Sequence, residues 1–232
     1  MSYVLWEGSS MFDGSPIVLL GTDRSKNEKT GPMLQSYILR ADMHPLEAVQ
    51  TGKDDAICGT CPLRGADGNK RICYVTLHHG VASAWRSYAN GYAKRIPHEQ
   101  FVRHQPIRMG AYGDPAAVPI EVWLSLLRKA SGHTGYTHAW RTCDQRFRSL
   151  LMASCDSPED YAEAKALGWA TYRILMEGEA RMPGERPCPA NTATGVTCSV
   201  CMQCNGQRRD FAIPVHGGTG QVRKYKAWRL AA

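Results

Sequence analysis

The sequence predicts a mixed α/β protein, a partial or irregular (β/α) barrel with mostly parallel strands, formed as one domain over residues 1–232. Three observations predict it. Beyond Ile107, short apolar runs alternate with helical segments at close spacing, the pattern of βαβ units in a parallel sheet. Clear helices are fewer than an eight-fold barrel requires. Two cysteine-rich insertions, about 54–75 and 181–209, each follow a strand.

Taken in order, Ile17-Val18-Leu19-Leu20, closed by Gly21, reads as a buried strand of the parallel type. Gln35 to Leu39 is a second strand. Pro45 to Gln50 has Pro at its start and Gly52 after its end, as short helices do. Ala82 to Ala93 reads as a helix whose Trp85, Tyr88 and Tyr92 form one stripe. Ile107 to Tyr112 alternates as a strand and breaks at Gly113-Asp114-Pro115. Pro119 to Ala130 is amphipathic, with Arg128-Lys129 where cations suit the helix dipole. Thr134 to Trp140 and Leu150 to Cys155 are strands. Ser157 caps a helix that has Pro158 at its first position and stops at Gly168. Ala170 to Leu175 and Asp210 to Val215 complete the strands.

Composition is that of a globular protein, and 232 residues can bury a sizeable core. Met1 to Phe12 lacks the basic start and apolar run of a signal peptide. No apolar run reaches membrane-spanning length, so no membrane association is expected and the expected location is the cytoplasm. In that compartment cysteine clusters serve metal or redox chemistry more than disulfides, and nine cysteines cannot all pair. The net charge of +7 allows nucleic-acid contact, with Arg223, Lys224, Lys226 and Arg229 grouped near the end.

The strongest motif is Cys198-Ser-Val-Cys201-Met-Gln-Cys204, with Cys188-Pro189 upstream. A Cys-x-x-Cys-x-x-Cys run plus a remote cysteine is how iron–sulfur clusters are held. Zinc, the alternative, usually takes two separated Cys-x-x-Cys knuckles. Cys58, Cys61 and Cys73 form a second group. His78 or His79 could complete it as a zinc site, or three thiolates could hold a cubane with one open iron. The expected cofactor is therefore a [4Fe–4S] cluster, with zinc as the alternative.

In parallel α/β folds ligands bind beyond the carboxyl ends of the strands. Asp114, His138, Arg141 and Asp156 fall there and are the candidate substrate-binding residues. Dinucleotide, phosphate-loop, His-Glu-x-x-His and Gly-x-Ser-x-Gly motifs are absent. The segments Ala56 to Arg64, Cys73-Tyr74-Val75, Gly110 to Pro115 and Gly135 to His138 with Trp140 resemble uncharacterised bacteriophage-encoded cysteine-rich proteins. That resemblance implies a host-cell cytoplasmic location. More distantly, cysteine loops on a partial (β/α) barrel resemble the radical S-adenosylmethionine enzymes. Their Cys-x-x-x-Cys-x-x-Cys hallmark has no counterpart here, so only the architecture is carried over and S-adenosylmethionine has no motif of its own. The expected function is iron–sulfur binding with redox or radical-type chemistry. The alternatives are a zinc-stapled nucleic-acid-binding protein and a phage–host interaction protein with a structural metal.

Overall fold

The computed structural model describes all residues except 24–26, 66–70, 193–194, 208 and 232. Its strands are β1 (Ser2–Ser9), β2 (Pro16–Thr22), β3 (Leu34–Arg40), β4 (Lys94–Arg95), β5 (Pro106–Tyr112), β6 (Gly132–Thr134), β7 (Tyr136–Thr137), β8 (Met152–Cys155), β9 (Thr171–Leu175), β10 (Arg186–Pro187) and β11 (Phe211–Pro214). The α-helices are α1 (Pro45–Gln50), α2 (Asp55–Cys58), α3 (Ala82–Ala89), α4 (His98–Val102), α5 (Ile120–Leu127), α6 (Pro158–Ala166), α7 (Pro189–Thr192), α8 (Cys198–Cys201) and α9 (Thr219–Ala231).

One sheet has the order β4-β1-β2-β3-β5-β6 and the other β10-β11-β9-β8-β7. Only Gly135 separates β6 from β7, so the two sheets continue one another through a single extended segment. The result is an open, mostly parallel sheet. β2 runs antiparallel to both neighbours, β1 and β3. This corrects the parallel reading of Ile17 to Leu20. The cause is a short turn, in which Ser10 N–H donates to Ser15 O at 2.8 Å and Gly14 takes φ of 77°. Asp-Gly is a strong hairpin signal, and here it reverses the chain.

Beyond β3 the period-two alternation of a pleated strand decides which residues meet which layer. Ile107 and Met109 of β5, Ala153 and Cys155 of β8, Trp123 and Leu126 of α5, and Ala164 of α6 share one buried core. The opposite face carries Arg108, Gly110 and Tyr112 of β5, Thr134, Tyr136, Ser154 of β8, Tyr172 and Ile174 of β9, and Phe211 and Ile213 of β11. Register places Arg108 beside Thr134, Ser154 beside Tyr172, and Tyr172 beside Phe211. α5 and α6 therefore cover one face, and the other faces the cysteine-rich loops. Pro158 sits at the start of α6, and the Ser157 hydroxyl accepts from Asp160 N–H at 3.1 Å, satisfying one of the first-turn donors. Among the described residues no helix is long and apolar enough to cross a membrane.

The outer face holds one costly feature. Arg173 is wholly buried. Its Nε and Nη2 donate to the two oxygens of Glu185 at 2.8 and 2.7 Å, Nη1 donates to Glu179, and Nη2 also reaches Ala180 O at 3.0 Å. These bonds tie the segment after β9 back onto the sheet, and that segment leads through β10 into Cys188.

Candidate metal centre

Seven of the nine cysteines line one cavity of about 230 Å³: Cys58, Cys61, Cys73, Cys188, Cys198, Cys201 and Cys204. Local structure explains how each arrives there. α2 ends at Cys58, and Gly59 takes φ of 54° to turn the chain toward Cys61. Asp114 N–H donates to Ile57 O at 2.6 Å, pinning this loop to the end of β5. Cys73 N–H donates to Leu63 O at 2.8 Å, which folds the third thiol back beside the first two.

In the second group, α8 is a single helical turn. Residues three apart on such a turn lie on one side, so Cys198 and Cys201 project together. Cys198 and Ser199 N–H groups donate to the Lys29 and Thr30 carbonyls, each at 3.0 Å. Met202 adopts the left-handed region with φ of 43° and ends the turn. The chain then lays Cys204 O against Gly135 N–H at 2.9 Å, directly over the junction of the two sheets. Cys188 N–H is held by Ala212 O at 3.1 Å.

Gly206 completes this docking. It has φ of 78°, and a β-carbon there would sit 2.6 Å from Arg148 O and 2.8 Å from the Leu150 and Leu151 nitrogens. Gly206→Ala is therefore expected to cost more than about 1 kcal/mol from backbone conformation alone, with backbone overlap added. A lower Tm together with faster proteolysis around Cys204 is the outcome to look for. An unchanged Tm and digestion pattern would show that this contact does not hold the loop.

Electrostatics divides the thiols into two sets. Burial, then Cys61, Asp54 and Cys73, push Cys58 well above the ordinary thiol range. Burial, then Cys188, Cys198 and Cys201, push Cys204 up to about 12, against a Tyr136 hydroxyl that favours its thiolate. The Tyr172 hydroxyl interacts with Cys188 in the same way. Both rings pack together at 4.7 Å between centroids. Arg108 lies 5.9 Å from the Tyr136 ring and 3.5 Å from Tyr74 Oη, with no carboxylate ion-paired to it among the described residues. Buried thiols beside like groups favour the neutral form. A bound cation reverses that preference, because metal binding displaces thiol protons.

Among the described residues no three His, Cys, Asp or Glu side chains stand at metal-ligating geometry. The donor chemistry nevertheless fits a thiolate-bound metal: the four thiols Cys188, Cys198, Cys201 and Cys204 are mutual electrostatic neighbours on one cavity wall.

The four candidate substrate-binding residues part ways. Asp114 lines the cavity, but its carboxylate is fully used: Oδ2 accepts from Thr137 Oγ1 at 3.0 Å and His138 N–H at 2.9 Å, and Oδ1 from Ala116 N–H at 3.0 Å. Its work is to fix the end of β7. His138 also lines the cavity. Asp156 stands behind it, with Oδ2 3.2 Å from His138 Nε2. Arg141 is outside the cavity wall, bound to Asp160 and Glu163 and laid over Trp140 at 3.8 Å. His78 and His79 are exposed and do not line the cavity.

Sequence reasoning missed Lys29, Arg108, Tyr136 and Tyr172 as cavity residues. For the last three, the even-numbered alternation along β5, β7 and β9 is the signal that finds them. The basic tail forms α9 and is largely engaged within the chain: Lys226 with Glu177 at 2.5 Å, Arg229 with Glu179 at 3.4 Å, and Lys224 with Arg71 O at 3.4 Å.

Cys143 and Cys155 do not line this cavity. Cys143 lines a second cavity of about 890 Å³, whose wall it shares with Cys61, and Cys155 is buried in the core, where it acts as a small hydrophobe. Replacing both, as Cys143→Ser with Cys155→Ala, should leave metal content unchanged by elemental analysis. Loss of metal in either single variant would add a ligand to the set.

No protein-family model, no curated protein and no solved structure matches the chain.

Proposed function

We propose that the protein binds a [4Fe–4S] cluster through Cys188, Cys198, Cys201 and Cys204, on a partial (β/α) barrel, and serves redox or radical-type chemistry. One observation carries the reading: two cysteine loops far apart in sequence open onto a single cavity on the face of a mostly parallel sheet opposite α5 and α6. Structural staples have no need to share a cavity, whereas a cofactor and its substrate do. The barrel reading draws support from Tyr136 and Tyr172, which lie on alternate strands β7 and β9 and pack ring against ring across β8. Layers built by alternate strands are how barrel interiors fill.

The cluster would supply electron transfer. The chain's own residues supply its setting. Tyr136 and Tyr172 place hydroxyl donors beside the ligating sulfurs, and such hydrogen bonds tune the potential of a cluster. Lys29 and Arg108 bring positive charge near Cys198, offsetting the thiolates. A phage origin is part of the same proposal, and with it the activity would be exercised in an infected cell.

Anaerobic purification tests the reading. The expected protein is brown and contains iron and acid-labile sulfide in equal amounts. Colourless protein with stoichiometric zinc would replace the cluster by a structural metal in the same thiols.

A further inference from the structure

We infer that His138, backed by Asp156, is the fourth protein ligand of a second centre, a thiolate–imidazole site whose other ligands are Cys58, Cys61 and Cys73. This rests on the reading of the cysteine groups as metal-binding and goes beyond it in closing the incomplete group.

The three thiols lie within electrostatic reach of one another. His138, just past the end of β7, lines the same cavity as Cys58, Cys61 and Cys73, and Cys61 and Cys73 are among its electrostatic neighbours. The other donors are committed elsewhere. Asp54 is paired with Arg64 at 2.5 Å, and both Asp114 oxygens are bonded. His216, also on the cavity wall, lies 3.2 Å from Lys29 Nζ and packs on Tyr74.

His138 is held as a ligand must be. Its backbone N–H is fixed by Asp114, so the imidazole leaves β7 at a set position. Nε2 is buried without a hydrogen-bond partner and faces Asp156 Oδ2 at 3.2 Å, while Asp156 Oδ1 is also unpartnered. Buried polar groups are almost always satisfied, so a buried imidazole nitrogen with no hydrogen-bond partner requires an explanation. A metal on the other ring nitrogen provides it. That bond fixes the tautomer with its N–H toward the carboxylate, the usual support for a metal-bound histidine. Three thiolates and one imidazole suit zinc, and imidazole also replaces thiolate on iron in some clusters. Elemental analysis of the full-length protein separates these two sources of the same coordination.

The test compares metal per chain in full-length Cys58→Ser, His138→Ala, His138→Gln, His138→Cys and Asp156→Asn. Cys58→Ser defines the metal belonging to this centre. His138→Ala and His138→Gln should lose the same share and keep the metal of the four-cysteine group, which also shows that they fold. His138→Cys, with a fourth thiolate, should retain it. Asp156→Asn should bind the metal roughly 10–100-fold more weakly in chelator competition. Full metal in His138→Ala alongside loss in Cys58→Ser would overturn the assignment and leave a centre closed by something else. Equal loss in His138→Ala and His138→Cys would make His138 a packing residue and overturn it too. Full metal in Cys58→Ser would overturn both the assignment and the reading beneath it.

Discussion

Cys201→Ala is expected to abolish metal binding by the four-cysteine group. Cys201 is the middle thiol of the run and sits on the single turn α8 with Cys198. Removing it leaves three thiolates, and the loop has little apolar burial of its own: Val200 is 72 % exposed. Ordering each loop residue costs about 1–2 kcal/mol in backbone entropy, so metal coordination supplies much of what holds the loop. Residues 181–209 should become protease-sensitive, although the ties to Lys29, Thr30 and Gly135 remain. The βα body should stay folded, because Ile107, Trp123, Trp140 and Leu151 belong to the hydrophobic core shared by the strands and helices. Metal held by Cys58, Cys61 and Cys73 should survive, since the two thiol sets have separate electrostatic neighbours. Loss of all metal would merge them into one centre. Unchanged metal with an intact loop would remove Cys201 from the ligand set.

Arg173→Ala is expected to be the most destabilising single change outside the cysteines. It strands Glu185, whose side chain is fully buried, and takes a partner from Glu179. Breaking a buried pair by deleting one charge costs about 3–5 kcal/mol. For a chain of this size that corresponds to a fall in Tm of roughly 6–20 °C. The consequence reaches the site, because the Arg173 network orders the segment that delivers Cys188. Reduced metal retention should accompany the lower Tm. A Tm within 2 °C of wild type, by the same scaling, would mean that the network contributes little.

Much of the body was legible from local pattern. Ile107–Tyr112 carries the alternation of a pleated strand, Met152–Cys155 and Thr171–Leu175 fall in short runs at βα spacing, and Pro158 with Ser157 marks a helix start in any context. β1 was missed because Tyr3 to Trp6 is a short apolar run without alternation and two of its residues, Gly8 and Ser9, favour turns. The orientation of β2 was misjudged because apolar runs carry no direction. Only Asp13-Gly14 recorded the reversal. α3 was expected over Ala82 to Ala93 and stops at Ala89, where Asn90 and Gly91 turn the chain.

The candidate site was legible in its cysteines and illegible in its assembly. The thiol spacing is local, so both groups could be found. Their convergence depends on contacts such as Gly135 with Cys204 and Asp114 with Ile57, which no periodicity encodes. For the same reason His78 and His79, near Cys73 in sequence, looked like ligands, while His138 reaches Cys61 only through the sheet. Arg141 followed a strand as a binding residue would, yet Asp160 and Glu163 of α6 hold it away from the cavity.

The central claim is an iron–sulfur cluster on Cys188, Cys198, Cys201 and Cys204. The most direct measurement is a Mössbauer spectrum of protein produced with iron-57 and purified without oxygen, recorded for wild type and Cys201→Ala. The account predicts sulfur-coordinated cluster iron in the wild type, with the signal of this centre missing from Cys201→Ala. A wild-type protein without cluster iron, or a Cys201→Ala spectrum identical to wild type, would contradict it.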